Sequence, residues 1–399
     1  MRYHRVLVEA VVYSLQEIFE QGRQADKVIE QVLKSDRRWG ARDRGFIAEN
    51  TYEIVRWWRM LDFVAKSFKK SPTFWDLFAT WQILKGQQLP LWPDFVNIDK
   101  TAILQAYQEA QKIRKIRESI PDWLDEIGSA ELGQSWEAEL TALNQPAPVV
   151  LRANTLKIDV LTLQKVLQEQ DIETQLSEAA PNALILPQKK NVFQTDAFKK
   201  GLFEVQDAGS QLIAPFLEVQ PKHRVIDACA GAGGKTLHLA ALMQNQGRII
   251  AMDVEGWKLD ELKRRARRNG VGNIETRLIE AKTIKRLRVT ADRLLLDVPC
   301  SGLGVLRRNP DAKWKIKPEF VSQIRQTQYD ILSRYSEMLK TGGQMVYATC
   351  SILPSESEAQ VARLIKENPQ KWRLLKEHRT SPARDGSDGF YMARLEKRL

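Results

Sequence analysis

The sequence predicts a multidomain α/β protein in which an all-helical part and a small α+β module precede an open sheet with helices on both faces. Three observations lead to this prediction. Apolar residues recur at helical spacing up to about residue 140, short strand-like runs between breaker residues follow, and strands alternate with helices from Gln211 onward. We therefore expect domains at 1–142, 143–210 and 211–399.

The first domain is expected to consist of helices. Leu7, Val11 and Leu15 lie on one face of the first helix, and similar spacing continues along the chain. A basic run at 112–117 is typical of a solvated helix surface. Because this part contains no catalytic grouping of residues, we interpret it as a helical adaptor.

The second domain is expected to be a small α+β module. A breaker cluster at 144–148 separates it from the helices. Its strand-like runs are Val149–Arg152, Ala183–Leu186 and Leu202–Gln206, and Val160–Leu167 has the spacing of a short helix.

The third domain is expected to hold a parallel or mostly parallel sheet. Its expected strands are Arg224–Asp227, Arg248–Asp253, Ile274–Glu280, Arg293–Asp297 and Gln344–Ala348. Gly342 and Gly343 are expected to turn the chain into the last of these. Ser355 and Glu358 have the spacing of a capping box for the next helix, and a closing strand is expected at 389–395.

The composition favours a protein with a polyanionic partner. The chain has 61 Lys and Arg against 50 Asp and Glu, a formal net charge of +11. Such an excess attracts phosphate backbones, although many basic proteins are merely well solvated. There is no apolar run of about 20 residues to span a membrane. Three cysteines without a CxxC pair and four histidines make a zinc site unlikely and indicate a reducing, cytoplasmic compartment.

A glycine-rich turn at 225–236 is the first candidate binding site. An apolar strand leads into an Ala/Gly turn and then a helix, an arrangement that presents free N–H groups to a nucleotide-like ligand. The spacing matches neither the dinucleotide fingerprint nor the P-loop, and a turn without a ligand is an equal alternative. Asp253, at the end of the next strand, favours a ribose-binding role, with a helix N-cap as its alternative.

Two further strands end in groups that can perform chemistry. One ends at Asp297 and is followed by Cys300, and another ends just before Cys350. Because ligands of open sheets bind beyond the carboxyl ends of the strands, both thiols are expected to face one crevice. The basic loop Arg307–Trp314 is interpreted as able to hold phosphates. Cys229 lies inside the glycine turn, where packing or backbone contact is favoured.

A thiolate beside an adenosine-type pocket indicates a specific reaction. The C5 carbon of a pyrimidine is a poor nucleophile. Addition of a thiolate to C6, with an acid at N3, makes C5 able to attack a methyl sulfonium. Elimination then needs a second group that helps remove the C5 proton and release the thiol.

Four ordered motifs resemble those of the Sun (Fmu) family of RNA cytosine-5 methyltransferases. They are Asp227–Thr236, Leu296–Ser301, Arg307–Trp314 and Tyr347–Ile352. More loosely, the segments Asp43–Ile47, Arg56-Trp57, Ile120–Leu124, Leu151–Asn154 and Val205–Ser210 also fit this family. The resemblance implies a Rossmann-like S-adenosylmethionine-dependent methyltransferase domain after a NusB-like RNA-binding domain and an RRM-like module.

By the same resemblance, Cys350 would be the nucleophile and Cys300 would assist product release. Asp297 would contact the target cytosine near the cofactor methyl, and Lys235 would reach the reacting groups. The implied cofactor-binding residues are Cys229, Ala230, Gly231, Ala232, Gly233, Gly234, Lys235, Asp253, Glu280 and Asp297.

The sequence departs from the family pattern at three places. Gly231-Ala232 replaces the usual alanine-proline, which should loosen the turn without removing donors. Glu280 replaces an aspartate that contacts the adenine region, and Ser357 replaces a common asparagine.

The expected function is therefore S-adenosylmethionine-dependent methylation of cytosine C5 in RNA, with small-subunit ribosomal RNA favoured. Transfer RNA is an alternative substrate. A DNA cytosine methyltransferase that uses Cys300 as nucleophile and a non-catalytic NusB-like RNA-binding adaptor are the alternatives of other kinds. We expect a cytoplasmic monomer without a metal or membrane partner.

Overall fold

The computed structural model describes residues 3–188 and 190–399. Its α-helices are α1 (Arg5–Phe19), α2 (Ala25–Ser35), α3 (Ala41–Arg56), α4 (Trp58–Ala65), α5 (Phe74–Leu84), α6 (Lys100–Gln111), α7 (Arg114–Arg117), α8 (Asp122–Leu132), α9 (Trp136–Leu143), α10 (Val160–Gln168), α11 (Asp196–Lys199), α12 (Ala208–Phe216), α13 (Gly234–Leu242), α14 (Gly256–Asn269), α15 (Thr283–Arg286), α16 (Ala312–Lys315), α17 (Pro318–Tyr335), α18 (Glu358–Glu367) and α19 (Pro382–Asp385). Its strands are β1 (Val149–Ala153), β2 (Gln175–Leu176), β3 (Ala183–Leu186), β4 (Phe203–Val205), β5 (Arg224–Asp227), β6 (Arg248–Asp253), β7 (Ile274–Leu278), β8 (Ala291–Asp297), β9 (Leu339–Thr349), β10 (Trp372–Arg379) and β11 (Tyr391–Lys397).

The chain forms two compact units. One contains the residues up to Gln145 together with Leu306–Pro318, and the other contains Pro146–Val305 and Glu319–Leu399.

The first unit is helical, as the spacing of apolar residues predicts. α1 buries Leu7, Val11 and Leu15 on one face, which packs into a core shared by the helices α1 to α6. Thr73 and Asp76 cap the start of α5, where the Asp76 carboxylate accepts the Thr73 N–H at 2.7 Å.

The segment 306–318 is part of the core of this helical unit. The indole N–H of Trp314 donates to the Val55 carbonyl at 2.7 Å, and its ring meets that of Trp58 edge to face. Lys313 is 2% exposed, and burial together with Arg56 holds its pKa well below the ordinary value. The expectation that this basic loop holds phosphates is therefore wrong for Lys313, because tertiary packing turns its side chain inward.

In the second unit, the strands β1 to β4 form an antiparallel sheet in the order β2-β3-β1-β4. Val149 of β1 lies opposite Leu186 of β3, and Leu151 lies opposite Val205 of β4. Leu151 packs with Leu163 of α10 under this sheet.

The larger sheet of the second unit has the order β10-β11-β9-β8-β5-β6-β7. The strands β5 to β9 pair in parallel, and β11 pairs antiparallel with both β9 and β10. Ile226, Leu294 and Val346 are fully buried, as expected of strands covered on both faces. This architecture confirms the predicted fold class.

Three local features of this sheet differ from the expectation. β9 runs from Leu339 through Gly342 and Gly343 rather than starting after them. β10 was not foreseen, since it is a largely exposed edge strand without a strong apolar alternation. The capping box is wrong, because α18 starts at Glu358 after a 3₁₀ turn at Pro354–Glu356 that points the Glu356 side chain into the protein.

Within residues 3–188 and 190–399, no helix combines the length and apolar character needed to cross a membrane. The same residues contain no cluster of three His, Cys, Asp or Glu suited to a metal ion.

Candidate active site

The glycine-rich turn lies between β5 and α13. The Ala230 N–H donates to the Met252 carbonyl of β6 at 2.9 Å, which ties the turn to the neighbouring strand. Gly231 and Gly233 have φ of +54° and +87°, a left-handed conformation that L side chains rarely adopt. At Gly233 an added Cβ would lie 2.0 Å from the Leu262 side chain, whereas at Gly231 it would meet nothing within 4 Å.

This contrast gives a matched pair of variants. Gly233→Ala is expected to cost about 1–2 kcal/mol of strain and about 1–3 kcal/mol of overpacking, since Leu262 is buried. Gly231→Ala should cost only the strain of the left-handed backbone, because its Cβ would meet no neighbour. Chemical denaturation of both variants measures the difference. Equal losses would show that contact with Leu262 is not what requires glycine at 233.

Asp253 at the end of β6 holds the first glycine of the turn. One carboxylate oxygen accepts the Gly231 N–H and the other accepts the Glu255 N–H, both at 2.9 Å. The N-cap of α14 is Glu255, so Asp253 does not serve as the N-cap. Val254, the next residue, is apolar and 66% exposed, and its type alone gives no sequence signal of a role.

Lys235 and Asp297 form an ion pair between the start of α13 and the end of β8. Their Nζ and Oδ2 atoms are 2.5 Å apart. Burial disfavours the lysine cation, but Asp297 outweighs that cost and the pKa of Lys235 is raised. Lys235 therefore stays charged and orients the Asp297 carboxylate at the edge of the sheet.

The two strand-end thiols meet at the same edge. Cys300 Sγ and Cys350 Sγ are 3.2 Å apart. The pKa of Cys300 is raised well above its ordinary value, first by its hydrogen bond to Cys350 and then by burial. Cys300 therefore keeps its proton more firmly than an exposed thiol, in direct contact with the Cys350 sulfur.

Comparisons with known proteins identify the family of this chain. A family model described as 16S rRNA methyltransferase RsmB/F matches residues 214–396, and a model of the ferredoxin-like domain of RsmF/B-like methyltransferases matches 120–193. A probable ribosomal RNA small subunit methyltransferase B from Synechocystis sp. is 35% identical over 70% of this chain and 67% of that protein. The chain belongs to the RsmB/F family of 16S rRNA methyltransferases. Membership confirms the resemblance drawn from the motifs.

A further curated methyltransferase and two solved structures are also similar to this RsmB/F family member. The ribosomal RNA small subunit methyltransferase B of Proteus mirabilis is 31% identical over 70% of this chain and 66% of its own length. A methyltransferase homolog protein from Pyrococcus horikoshii is 27% identical, with a TM-score of 0.64 over 73% of this chain and 99% of that one. The crystal structure of PH0851 has a TM-score of 0.85 over 100% of both chains at 23% identity, a likeness of fold.

Glu280 lies beside the end of β6, since the N–H of the preceding Ile279 donates to the Asp253 carbonyl at 2.9 Å. It follows β7, the edge strand, and its side chain is exposed. Its N–H donates to the Thr283 hydroxyl at 3.0 Å. Asp253, on the adjacent strand, is the carboxylate that contacts the glycine turn, through the Gly231 N–H.

Two arginines of this RsmB/F family member donate hydrogen bonds to backbone carbonyls of the glycine turn. Arg152 of β1 donates to the Gly234 carbonyl at 2.6 Å, and Arg265 of α14 donates to the Ala232 carbonyl at 2.8 Å. Arg265 also pairs with the buried Glu204 of β4 at 2.8 Å. The segment 151–154 fits the family pattern, but the sequence gives no sign of this role for Arg152, because only the tertiary structure brings β1 to the turn.

Asp227 is buried directly below this turn and accepts the Thr236 hydroxyl at 2.7 Å. Burial, with a smaller contribution from Asp297 and against the effect of Thr236, raises its pKa to about 7. Because the folded state holds this proton more tightly than the unfolded chain, its contribution to stability is complete below about pH 4 and is lost as the pH rises through about 7.

Asp227→Asn should remove this dependence while keeping a neutral polar group at the site. We compare the free energy of unfolding of the unmodified protein with that of Asp227→Asn. The difference is expected to shift against the unmodified protein by up to about 4 kcal/mol as the pH rises from 4 to 8. Denaturant unfolding at several pH values measures it. A constant difference across that range would contradict a raised pKa at Asp227.

Proposed function

We propose that this protein transfers a methyl group from S-adenosylmethionine to C5 of a cytosine in RNA, with small-subunit ribosomal RNA as the substrate. The reaction passes through a covalent bond between Cys350 and C6 of the base. The observation that carries the proposal is the pair of thiols 3.2 Å apart on the same sheet edge as the Lys235–Asp297 ion pair.

The residues around the glycine turn fit the cofactor. The Asp253 carboxylate is fixed by two N–H groups and retains lone pairs for a ribose diol, and the exposed Val254 offers an apolar surface for an adenine. The close approach at Gly233 keeps the turn against α14, so that its backbone borders the crevice. When bound, S-adenosylmethionine supplies an electrophilic methyl group.

Cys350 starts the proposed reaction by adding to C6 of the cytosine. The new S–C6 bond moves electron density to N3, and the proton that the Cys350 thiol gives up passes through the Asp297 carboxylate to N3. C5 thereby becomes nucleophilic and takes the methyl group. Lys235 holds Asp297 in place before and after this proton transfer, when the two form an ion pair.

Cys300 acts in the proposed release step. After methylation, C5 must lose its proton so that the C5–C6 double bond re-forms as the S–C6 bond breaks. Cys300, next to Cys350 and kept protonated by its raised pKa, is placed to donate its proton to the Cys350 sulfur as the S–C6 bond breaks. The thiolate left on Cys300 takes up the proton lost from C5, so both cysteines return to the thiol form.

The charge of the chain supports an RNA substrate. A net charge of +11 favours binding to a phosphate backbone. The curated relatives from Synechocystis sp. and Proteus mirabilis bear the name ribosomal RNA small subunit methyltransferase B, which favours small-subunit ribosomal RNA over transfer RNA.

Methyl transfer from labelled S-adenosylmethionine to defined nucleic acids tests the proposal. The arms are a small-subunit ribosomal RNA transcript, a transfer RNA pool and a cytosine-containing DNA duplex. Nucleoside mass spectrometry is expected to find 5-methylcytidine in the ribosomal arm. Labelling of transfer RNA alone or DNA alone would replace the proposed substrate, and a methylated nucleoside other than 5-methylcytidine would overturn the proposed chemistry.

A further inference from the structure

A fully buried glutamate lies between the two loops that carry the cysteines. Glu356 is 0% exposed and closes the 3₁₀ turn that follows β9. Its Oε1 accepts from the hydroxyls of Ser301 at 2.5 Å and Ser351 at 2.7 Å. Its Oε2 accepts from the Ser301 N–H at 2.8 Å and from the Gln328 amide at 3.0 Å.

The positions of Ser301 and Ser351 in the chain connect the Glu356 contacts to the two thiols. Ser301 directly follows Cys300, and Ser351 directly follows Cys350. One carboxylate therefore holds the residue after each thiol, although the thiols belong to the ends of different strands. A second link runs in parallel, since the Gly304 N–H donates to the Cys350 carbonyl at 2.9 Å.

Burying a carboxylate lowers the stability of a fold unless hydrogen bonds replace those that it made to water. Here all four partners of the Glu356 side chain within the described residues are neutral donors, so no cation offsets its desolvation. Glu356 also adds to the raised pKa of Cys300, after the larger effects of Cys350 and burial. The arrangement therefore fixes the geometry of the two loops and favours the protonated form of Cys300.

We propose that Glu356 is a positioning residue that sets the spacing of Cys300 and Cys350 through Ser301 and Ser351. The inference rests on the proposed function, because it assigns Glu356 to the covalent chemistry of those thiols. Misplacing a reacting group by about 1 Å can cost about 100-fold in rate.

The spacing of the thiols can be tested without any nucleic acid. Diamide takes two electrons and two protons from a pair of thiols and joins the sulfurs as a disulfide, being reduced to the hydrazine. Peptide mapping then follows the Cys300–Cys350 bond. We expect Glu356→Ala to form this disulfide about 10-fold more slowly than the unmodified protein, because displacement of the loops separates the sulfurs.

The second readout is single-turnover methyl transfer at saturating RNA and S-adenosylmethionine. Glu356→Ala should slow it about 100-fold with little change in the KM for the cofactor. Glu356→Gln should be intermediate, because an amide accepts from two of the donors and the serine hydroxyls can rotate to accept from its NH₂.

Ser357→Ala is the matched control. Ser357 is equally buried in the same turn, but its hydroxyl pairs with Thr349 at 3.0 Å and contacts neither Ser301 nor Ser351. Its rates should stay within about twofold of the unmodified protein, since it leaves the carboxylate contacts in place. Equal losses in Ser357→Ala and Glu356→Ala would show a purely structural role and overturn the inference.

If Glu356→Ala does not fold, Ser301→Ala and Ser351→Ala each remove one link and leave the carboxylate with its other donors. Unchanged disulfide and methylation rates in both would overturn the inference. If the unmodified protein methylates no nucleic acid, the proposed function fails, while the diamide experiment still decides whether Glu356 sets the thiol spacing.

Discussion

Cys350→Ala is expected to reduce methyl transfer by about 10⁴-fold or more, since removal of a covalent nucleophile leaves only binding and orientation to accelerate the reaction. The substitution removes one sulfur at the end of β9 and leaves Lys235, Asp297 and the glycine turn in place. S-adenosylmethionine affinity, measured by calorimetry, should therefore stay close to that of the unmodified protein. Single-turnover labelling of ribosomal RNA measures the rate.

Cys350→Ser provides the control for shape. Its hydroxyl fits the same space and is a far weaker nucleophile than a thiolate, so it should be as inactive as the alanine variant. Full activity of Cys350→Ala would remove Cys350 from the mechanism.

Cys300→Ala is expected to give a trapped covalent complex of protein and RNA. Cys350 can still add to C6, but without the neighbouring thiol the elimination step should slow by about 100-fold or more, the usual contribution of a positioned proton-transfer group. Turnover should stop near one methyl group per protein. Denaturing electrophoresis should show a band that contains both protein and RNA and that disappears in the Cys300→Ala/Cys350→Ala double variant.

A result with the roles of the two cysteines exchanged would support the DNA cytosine methyltransferase alternative, in which Cys300 is the nucleophile. If Cys300→Ala formed no adduct while Cys350→Ala accumulated one, Cys300 would be the nucleophile. The 3.2 Å separation makes this experiment necessary, because the two sulfurs are direct neighbours and position alone does not assign the nucleophile.

The strands that build the site could be predicted from the sequence with little error. β5 and β6 begin and end at the predicted residues, because continuous apolar runs bounded by turn residues are typical of strands buried on both faces. The placement of Asp253, Asp297 and Cys350 at one edge also follows, because the carboxyl ends of parallel strands meet there.

The basic loop and the capping box show where local patterns mislead. Charge at 307–314 predicts a phosphate contact, but Lys313 is buried in the helical core beside residues distant in sequence. Ser355 and Glu358 have the spacing of a capping box, yet the chain passes through a 3₁₀ turn first. A helix cap is worth only about 1 kcal/mol, so tertiary packing can outweigh it. A run of charges does not say which of its side chains the fold will bury.

By itself, the sequence determined the fold class, the succession of the strands β5 to β9 and the set of groups at their ends. Apolar periodicity and turn residues are local properties, so they can be read without coordinates. The tertiary structure alone decided which groups touch: the thiols, the ion pair of Lys235 with Asp297, and the Glu356 carboxylate between Ser301 and Ser351. Glu356 carries no sequence signal of this role, because its partner loops are brought together only when β8 and β9 pair in the sheet.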